Sequence, residues 1–128
     1  MNLLLDTHIA LWAIADDRRL PKEAAAWIAD DYNVIWVSAA SVWEIAIKHM
    51  LAKRSMPISG RQALGYFREA GYRLLEIRPE HAAAIEDLPT VHSDPFDRLL
   101  VAQAEVEPLK LVTSDVLLTK YSKNVVAV

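Results

Sequence analysis

Short apolar segments alternate with segments of helical length along the whole 128-residue chain, and this alternation constrains the fold more than any other feature. The strand-like segments are residues 2–5, 34–37, 72–77, 109–113 and 125–128. The helix-like segments are residues 7–15, 21–29, 39–50, 61–70, 79–87, 95–106 and 116–121. Nearly continuous apolar strands joined by helices are typical of a parallel sheet that is covered on both faces. The pattern therefore predicts one α/β domain spanning residues 1–128.

Composition narrows the function classes without selecting one. The chain has no cysteine, which excludes disulfides and thiolate metal sites. Its net charge of −3 carries no general signature of nucleic-acid binding, so a phosphate-bearing partner must be met by local basic groups or by a metal ion. No apolar run approaches the ~18 residues of a membrane span, and the first residues lack the basic region of a signal peptide. These features predict no membrane contact and a cytoplasmic location.

Acidic residues follow the predicted strands at the edge where ligands of open parallel sheets bind. Asp6 follows the first strand directly, Glu44 lies in the first turns of the helix after the second, and Asp115 follows the fourth. Asp97 opens the helix that leads into the fourth strand. Ligands of such sheets bind outside the carboxyl ends of the strands, near the switch point in strand order. We therefore expect three of these acids at one edge, with Asp97 within reach of it.

Each acid also has a purely structural interpretation. The DPFD stretch at 94–97 has the form of an N-cap Asp, a first-turn Pro and an acid at the third helical position. The SVWE stretch at 41–44 has the S-x-x-E form of a capping box. Asp115 could cap the short helix that follows it, and Asp6 could be a turn residue. The spacing alone leaves both interpretations open.

The joint placement of the four acids favours a metal site. Carboxylates ~5 Å apart repel by roughly 3 kcal/mol per pair at an effective dielectric of about 20, which exceeds what helix caps supply. Such a cluster either takes up protons or binds a hard cation. An all-oxygen site suits Mg²⁺ or Mn²⁺, which bind through a few carboxylates together with substrate phosphate.

Four stretches carry a family resemblance that covers nearly the whole chain. They are LLLDTHIALW with Asp6, VSAASVWEIAIK with Glu44, LPTVHSDPFDRLLVAQA with Asp97, and LVTSD with Asp115. In this order they resemble the PIN-domain ribonucleases, and in particular the VapC-type toxins of bacterial and archaeal toxin–antitoxin pairs. All four acidic positions of the family pattern are filled.

The resemblance implies a PIN-like three-layer α/β/α sandwich around a parallel sheet of four or five strands in the order 3-2-1-4-5. It implies a Mg²⁺- or Mn²⁺-dependent endoribonuclease in which water attacks the phosphorus of RNA and the 3′ oxygen is displaced. It also implies a homodimer and inhibition by a cognate VapB-type antitoxin.

By the same resemblance, four acids form the catalytic metal site. Asp6 and Asp97 would contact the metal, Glu44 would contact it or orient its water, and Asp115 would act through a second water or a second ion. Thr7 and Thr113 would be hydrogen-bond partners of these groups, although a hydroxyl at a strand end is often only a local backbone partner.

Several other residues carry weaker signals. Neither His8 nor His92 is expected to be a metal ligand, and His92 is expected to hold the loop before Asp94. A structural role is favoured for Arg98. The basic stretch KHMLAKR at 48–54 could carry an RNA backbone or could be a solvated helix end. Of the four Trp residues, Trp36 is expected in the core, whereas Trp12, Trp27 and Trp43 could lie in the core, at a dimer contact or at an antitoxin groove.

Three alternative functions compete with the nuclease. A phosphoacceptor receiver-type signalling domain needs paired acids after the first strand and an acceptor Asp after the third, and the chain has DTH and IRP there. A phosphatase of the haloacid-dehalogenase type needs a second Asp at position 8, where His8 stands. A non-catalytic PIN-like binding module is disfavoured because all four acids are present. A nuclease assay distinguishes that module from the nuclease.

Overall fold

The computed structural model describes all 128 residues, and its five strands form one fully parallel sheet. The strands are β1 (Asn2–Leu5), β2 (Val34–Ser38), β3 (Arg73–Leu75), β4 (Lys110–Thr113) and β5 (Val125–Ala127). Their order across the sheet is β3-β2-β1-β4-β5, with every neighbouring pair parallel. The predicted strand order and the parallel sheet are therefore confirmed.

Six α-helices and two 3₁₀ turns connect the strands. The helices are α1 (Thr7–Ile14), α2 (Lys22–Ala29), α3 (Ala39–Leu51), α4 (Gly60–Glu69), α5 (Pro79–Ala84) and α6 (Pro95–Val106). The 3₁₀ turns are Ile85–Asp87 and Val116–Lys120, so the predicted helix at 79–87 is divided and the one at 116–121 is not α-helical. The predicted strand at 72–77 shrinks to three residues. β3 is an edge strand that pairs only with β2, and the ladder ends at the Ser38–Leu75 pair because β2 turns into α3 there.

The sheet separates two hydrophobic cores, which gives the predicted three-layer sandwich. Successive strand residues point to opposite faces, so Leu3 and Leu5 pack into one core and Leu4 packs into the other. The first core also contains Ile45 of α3 and Phe67 of α4, which are fully buried. The second core is built mainly on the apolar face of α6, and α5 packs against α6 from outside.

Parallel strands place the ends of β1, β2 and β4 at one edge of the sheet, and polar residues occupy that edge. Asp6 joins β1 directly to α1, and its backbone N–H continues the ladder by donating to the Val112 carbonyl at 3.0 Å. Ser38 joins β2 to α3 without a loop, and Thr113 ends β4. The first residues of two helices and the end of a third strand therefore lie side by side.

The start of α3 corrects one interpretation of the sequence. α3 begins earlier than the SVWE stretch implied, because Ser38 Oγ caps it by accepting from the Ala40 N–H at 2.9 Å. The predicted capping box at 41–44 is therefore wrong, and the Glu44 side chain is free for other contacts. Gly71 follows α4 with a φ of 81°, a backbone conformation that favours glycine at a helix end. None of the helices combines the length and the apolar character that a membrane crossing requires.

Candidate functional site

The four predicted acids line one cavity of about 250 Å³ at the carboxyl edge of the sheet. Asp6 enters it from the end of β1, Glu44 from α3, Asp97 from α6 and Asp115 from the segment after β4. The other lining residues are Thr7, His8, Lys48, Asp94 and Ser114. The fold therefore brings together side chains that are up to 109 positions apart in the sequence.

Asp6 is buried and held in a fixed orientation by two donors. Its Oδ1 accepts from the Ile9 N–H at 2.9 Å, which makes Asp6 the N-cap of α1. Its Oδ2 accepts from Thr113 Oγ1 at 2.5 Å. Burial raises the pKa of Asp6 above its usual value, although the hydrogen bonds from Thr113 and Ile9 oppose that rise. The predicted role of Thr113 as a hydrogen-bond partner of the site is thus confirmed.

Glu44 is equally buried, and its charge is balanced. Thr7 Oγ1 donates to Glu44 Oε1 at 2.7 Å, with Ser41 Oγ 2.9 Å from the same hydroxyl. Lys48, one turn further along α3, donates to Glu44 Oε2 at 2.5 Å. A buried carboxylate is tolerated when it is paired and hydrogen-bonded, and both conditions hold here. The hydrogen-bond role predicted for Thr7 is confirmed as well.

Asp97 differs from Asp6 and Glu44 because its carboxylate makes no hydrogen bond within the protein. Asp94 caps α6 by accepting from the N–H groups of Phe96 and Asp97 at 2.9 and 3.3 Å, so Asp97 is not needed as a cap. Burial raises the pKa of Asp97 to about 7, with further contributions from the negative charges of Asp94, Asp6, Glu44 and Asp115. Asp97 is therefore a partly buried carboxylate without a hydrogen-bond donor, and four neighbouring carboxylates add to the cost of its ionisation.

Asp115 combines a local structural role with a free oxygen. Its N–H donates to Thr113 Oγ1 at 3.0 Å, and its Oδ1 accepts from the Leu117 N–H at 3.0 Å, which caps the following 3₁₀ turn. Its Oδ2 lies on the side of the carboxylate that faces His92. The predicted capping role is confirmed, and it leaves one carboxylate oxygen of Asp115 available.

The cavity also contains residues that the sequence analysis did not assign to it. Lys48 was placed in a basic patch, yet it is the only cationic side chain that lines the cavity. Its spacing of four residues from Glu44 on one helix was a signal for this ion pair. Asp94 was predicted only as a helix cap, yet it also lines the cavity, one helical turn before Asp97.

Arg98 and Trp43 lie outside the cavity. Arg98 has the structural role that was favoured, because it donates to the Pro89 carbonyl at 3.0 Å, to the Tyr121 hydroxyl at 3.2 Å and to the Ile85 carbonyl at 3.2 Å. Trp43 is 52% exposed and packs edge-on against Phe96, with 4.9 Å between ring centroids.

The remaining Trp residues are partly buried. Trp12 and Trp27 pack against the first core, and Trp12 also lines a separate, largely apolar cavity. Trp36 was expected in the core; it packs against the second core but is only partly buried, and the Arg73 guanidinium lies 5.7 Å from its ring centroid.

The donor chemistry of the cavity fits a hard divalent cation. Five carboxylates line it and only one ammonium opposes them. Asp97 offers two oxygens that no protein group occupies, and Asp115 offers one. Oxygen donors with an excess of negative charge are what Mg²⁺ and Mn²⁺ bind, and no thiolate is present that would favour a softer metal.

Comparison with known proteins gives one family and one fold. The family profile described as "PIN domain" matches residues 3–124. Ribonuclease VapC22 of Mycobacterium tuberculosis is 32% identical over 117 residues, which cover 89% of this chain and 87% of that protein.

Two solved structures share the fold at low sequence identity. The VapBC2 complex of Rickettsia felis, bound to a DNA fragment from its promoter, matches with a TM-score of 0.70 at 18% identity over 100% of this chain and 98% of that chain. The sarcin–ricin-loop-cleaving toxin VapC20 of M. tuberculosis matches with a TM-score of 0.64 at 12% identity over 94% of this chain and 97% of that chain. The profile match over residues 3–124 and the 32% identity to Ribonuclease VapC22 show that the chain belongs to the PIN-domain family, and that within it the chain groups with the VapC-type proteins.

Proposed function

We propose that this chain is a divalent-metal-dependent endoribonuclease that acts in the cytoplasm as the toxin of a VapBC-type toxin–antitoxin pair. The relative named Ribonuclease VapC22 supports the RNA-cleaving activity. The observation that carries the proposal is the convergence of Asp6, Glu44, Asp97 and Asp115 on one cavity whose negative charge is only partly balanced.

The residues of the cavity are proposed to have different roles in such a site. Asp6, with both oxygens fixed by donors, and Asp97, with both oxygens free, are proposed to contact Mg²⁺ or Mn²⁺ directly. Asp115 Oδ2 is proposed to act through water, and Glu44, paired with Lys48, is proposed to orient water in the cavity. When bound, the divalent ion supplies activation of water and neutralises charge on the phosphodiester. Mg²⁺ suits this set because it keeps several waters and uses few protein ligands.

Lys48 gives the cavity a second means of accepting a polyanion. Its ammonium is held by Glu44 Oε2 at the rim, and its side chain is partly exposed. Lys53 and Arg54, further along the same polypeptide, are exposed as well. Phosphate contacts by such groups would position an RNA backbone without specifying its sequence.

The partner proposals are a VapB-type antitoxin and a second copy of the chain. The first is supported by solved structures with this fold that are toxin–antitoxin complexes, among them VapBC2 of R. felis and a complex from Klebsiella pneumoniae. The second is supported by the exposure of Trp43, Met50 and Leu51 on α3, because Trp and Met are enriched at protein interfaces. Light scattering of the purified chain tests the dimer, and co-purification with the product of a short neighbouring reading frame tests the antitoxin.

RNA cleavage by the purified chain tests the activity. Cleavage is expected with Mg²⁺ or Mn²⁺ and is expected to stop with EDTA or in the Asp6→Asn variant. The matched control is Glu86→Gln, which removes an exposed carboxylate outside the cavity and should cleave normally. Cleavage that persists both in EDTA and in Asp6→Asn would contradict the proposal. Mapping the 5′ ends of cellular RNA after a brief pulse of expression identifies the target.

Strand order and the cleavage assay distinguish the nuclease from the alternative functions. Receiver domains have the strand order 2-1-3-4-5, whereas this sheet has the order 3-2-1-4-5, so the receiver alternative is wrong. The non-catalytic PIN-like module predicts a chain that binds RNA or the metal and leaves RNA intact. The same cleavage assay decides between that module and the nuclease.

A further inference from the structure

His92 has a buried ring nitrogen without a partner, and that nitrogen points at the acidic cluster. The residue lies in the segment between the 3₁₀ turn at 85–87 and α6, and its side chain is 22% exposed. Its Nε2 is the one buried side-chain polar atom of the chain that lacks a hydrogen bond. Two carboxylate oxygens lie close to this nitrogen, Asp97 Oδ2 at 3.7 Å and Asp115 Oδ2 at 4.0 Å.

Although His92 lies in a loop, it is held from several sides. The Tyr121 hydroxyl accepts from the His92 N–H at 3.1 Å and donates to the His92 carbonyl at 2.9 Å. The imidazole packs edge-on against the Tyr121 ring, with 5.7 Å between centroids. Arg98 in turn donates to the Tyr121 hydroxyl at 3.2 Å. These contacts fix the position of Nε2 between two carboxylates that come from different elements.

The hydrogen bond at the other ring nitrogen, Nδ1, determines which nitrogen of the neutral imidazole carries the proton. The Asp94 N–H donates to His92 Nδ1 at 3.2 Å, so Nδ1 is an acceptor and bears no proton. In the neutral ring the proton is then on Nε2. A protonated Nε2 is a hydrogen-bond donor, and it has no free electron pair for a metal ion. The contact at Nδ1 confirms the expected role of His92 in holding the loop before Asp94. The Nε2–H donor is a second feature of the same ring, which the sequence analysis did not predict.

We propose that His92 is a positioning residue, whose Nε2–H donates to the carboxylates of Asp97 and Asp115 when the cavity holds its cation. The inference rests on the proposed function. The gaps of 3.7 and 4.0 Å exceed a hydrogen bond by less than about 1 Å, which a small carboxylate rotation closes. Each carboxylate oxygen has two lone pairs, so it can accept from His92 and still face the cation.

This arrangement explains why Asp97 can lack any other hydrogen bond. A ligating carboxylate is usually oriented by a donor outside the metal's own ligands, and loss of such a donor typically costs 10–100-fold in metal affinity. Asp6 has Thr113 for this purpose, and Glu44 has Thr7 and Lys48. His92 is the donor that stands in the corresponding place for Asp97.

Two substitutions of His92 separate its two nitrogens. His92→Asn keeps an acceptor near the position of Nδ1 for the Asp94 N–H and removes the donor at Nε2. His92→Gln reaches the position of Nε2 with a donor and gives up the acceptor at Nδ1. Mn²⁺ affinity, measured from the free-ion electron paramagnetic resonance signal, is expected to fall 10–100-fold in His92→Asn and much less in His92→Gln. The nitrogen hyperfine spectrum of Mn²⁺ in the unaltered protein is expected to show no coupling to a directly bound imidazole.

Each outcome has a defined consequence. Equal Mn²⁺ affinity in His92→Asn and the unaltered protein would overturn the inference and leave the proposed function standing. A strong nitrogen coupling that disappears in both variants would make His92 a ligand and would overturn it too. An unaltered protein that binds no Mn²⁺ would overturn the proposed metal dependence and the inference together. Thermal unfolding in EDTA shows whether each variant is folded before its affinity is compared.

Discussion

Replacing Asp97 by asparagine is expected to stabilise the fold at pH 8 in the absence of metal while it removes metal binding. The Asp97 carboxylate makes no hydrogen bond, and negative charges surround it, so ionisation at this position opposes folding. An asparagine side chain has nearly the same shape and no charge. Asp94 caps α6, so the helix start does not depend on residue 97. The substitution therefore removes the cost of burying a charge, together with the repulsion from neighbouring carboxylates, without removing a structural contact.

The magnitude follows from the pKa of Asp97, which burial raises from 3.8 to about 7. A difference of about three pKa units corresponds to an upper bound of about 4 kcal/mol. The side chain is 25% exposed and solvent screens part of the repulsion, so about 1–2 kcal/mol is the expected gain. Since the folded pKa is raised, the folded state keeps its proton when the unfolded state has lost it. The destabilisation of the unaltered protein therefore grows between about pH 4 and pH 7 and is fully present above pH 7.

Urea unfolding at 25 °C in EDTA, at pH 5 and at pH 8, measures this effect. The free energy of unfolding of Asp97→Asn should exceed that of the unaltered protein at pH 8, with a clearly smaller difference at pH 5. Adding Mg²⁺ should stabilise the unaltered protein and leave the variant unchanged, because only a binding-competent fold gains stability from a ligand. A variant that is less stable at pH 8, or a difference that does not depend on pH, would refute the reasoning about charge crowding.

Three further outcomes are expected. Asp6→Asn should lower RNA cleavage at least 100-fold, measured under single-turnover conditions, because a buried carboxylate that faces the cation is lost. Thr113→Val should weaken Mn²⁺ binding about 10-fold in a calorimetric titration, because the donor that orients the buried Asp6 carboxylate is lost. It should also lower the free energy of unfolding by about 1–3 kcal/mol, because Asp6 Oδ2 and the Asp115 N–H lose their partner. Gln103→Leu should cost about 2–3 kcal/mol in urea unfolding and spare metal binding, because it leaves the buried Ser38 hydroxyl and the Glu76 carbonyl without their partner.

Much of the fold and the convergence of the acids could be predicted because both depend on short-range rules. Apolar strands separated by helices predict a parallel sheet, and parallel strands place their following residues at one edge. Asp6 and Asp115 come within two residues of a strand end, so the rule fixes their position closely. The order of the strands came from the family resemblance, since alternation alone does not determine which strands are neighbours.

The partners of the acids could not be predicted in the same way. Glu44 lies six residues beyond β2, and its surroundings depend on how α3 packs against α1, which brings Thr7 to its carboxylate. The S-x-x-E pattern at 41–44 also fitted a local cap, and only the helix start at Ala39 shows that Ser38 has that role. The sequence predicted a loop-holding role for His92 but gave no signal for its approach to Asp97 and Asp115, because its position depends on the Tyr121 hydroxyl, 29 positions away in a different element.

The charge distribution within the cavity gives the strongest physical reason for a bound cation. Asp6, Glu44 and Asp115 each have protein donors, and capping contacts or the ammonium of Lys48 account for most of those donors. A cluster built only to start helices would need no fourth carboxylate, because Asp94 already caps α6. Asp97 makes no such contact, and its ionisation is opposed first by burial and then by the charges of the neighbouring acids. A divalent ion would remove this opposition and could bind the two oxygens that the fold leaves free, so we expect the side chain that weakens the metal-free fold to be the one whose loss most impairs metal binding.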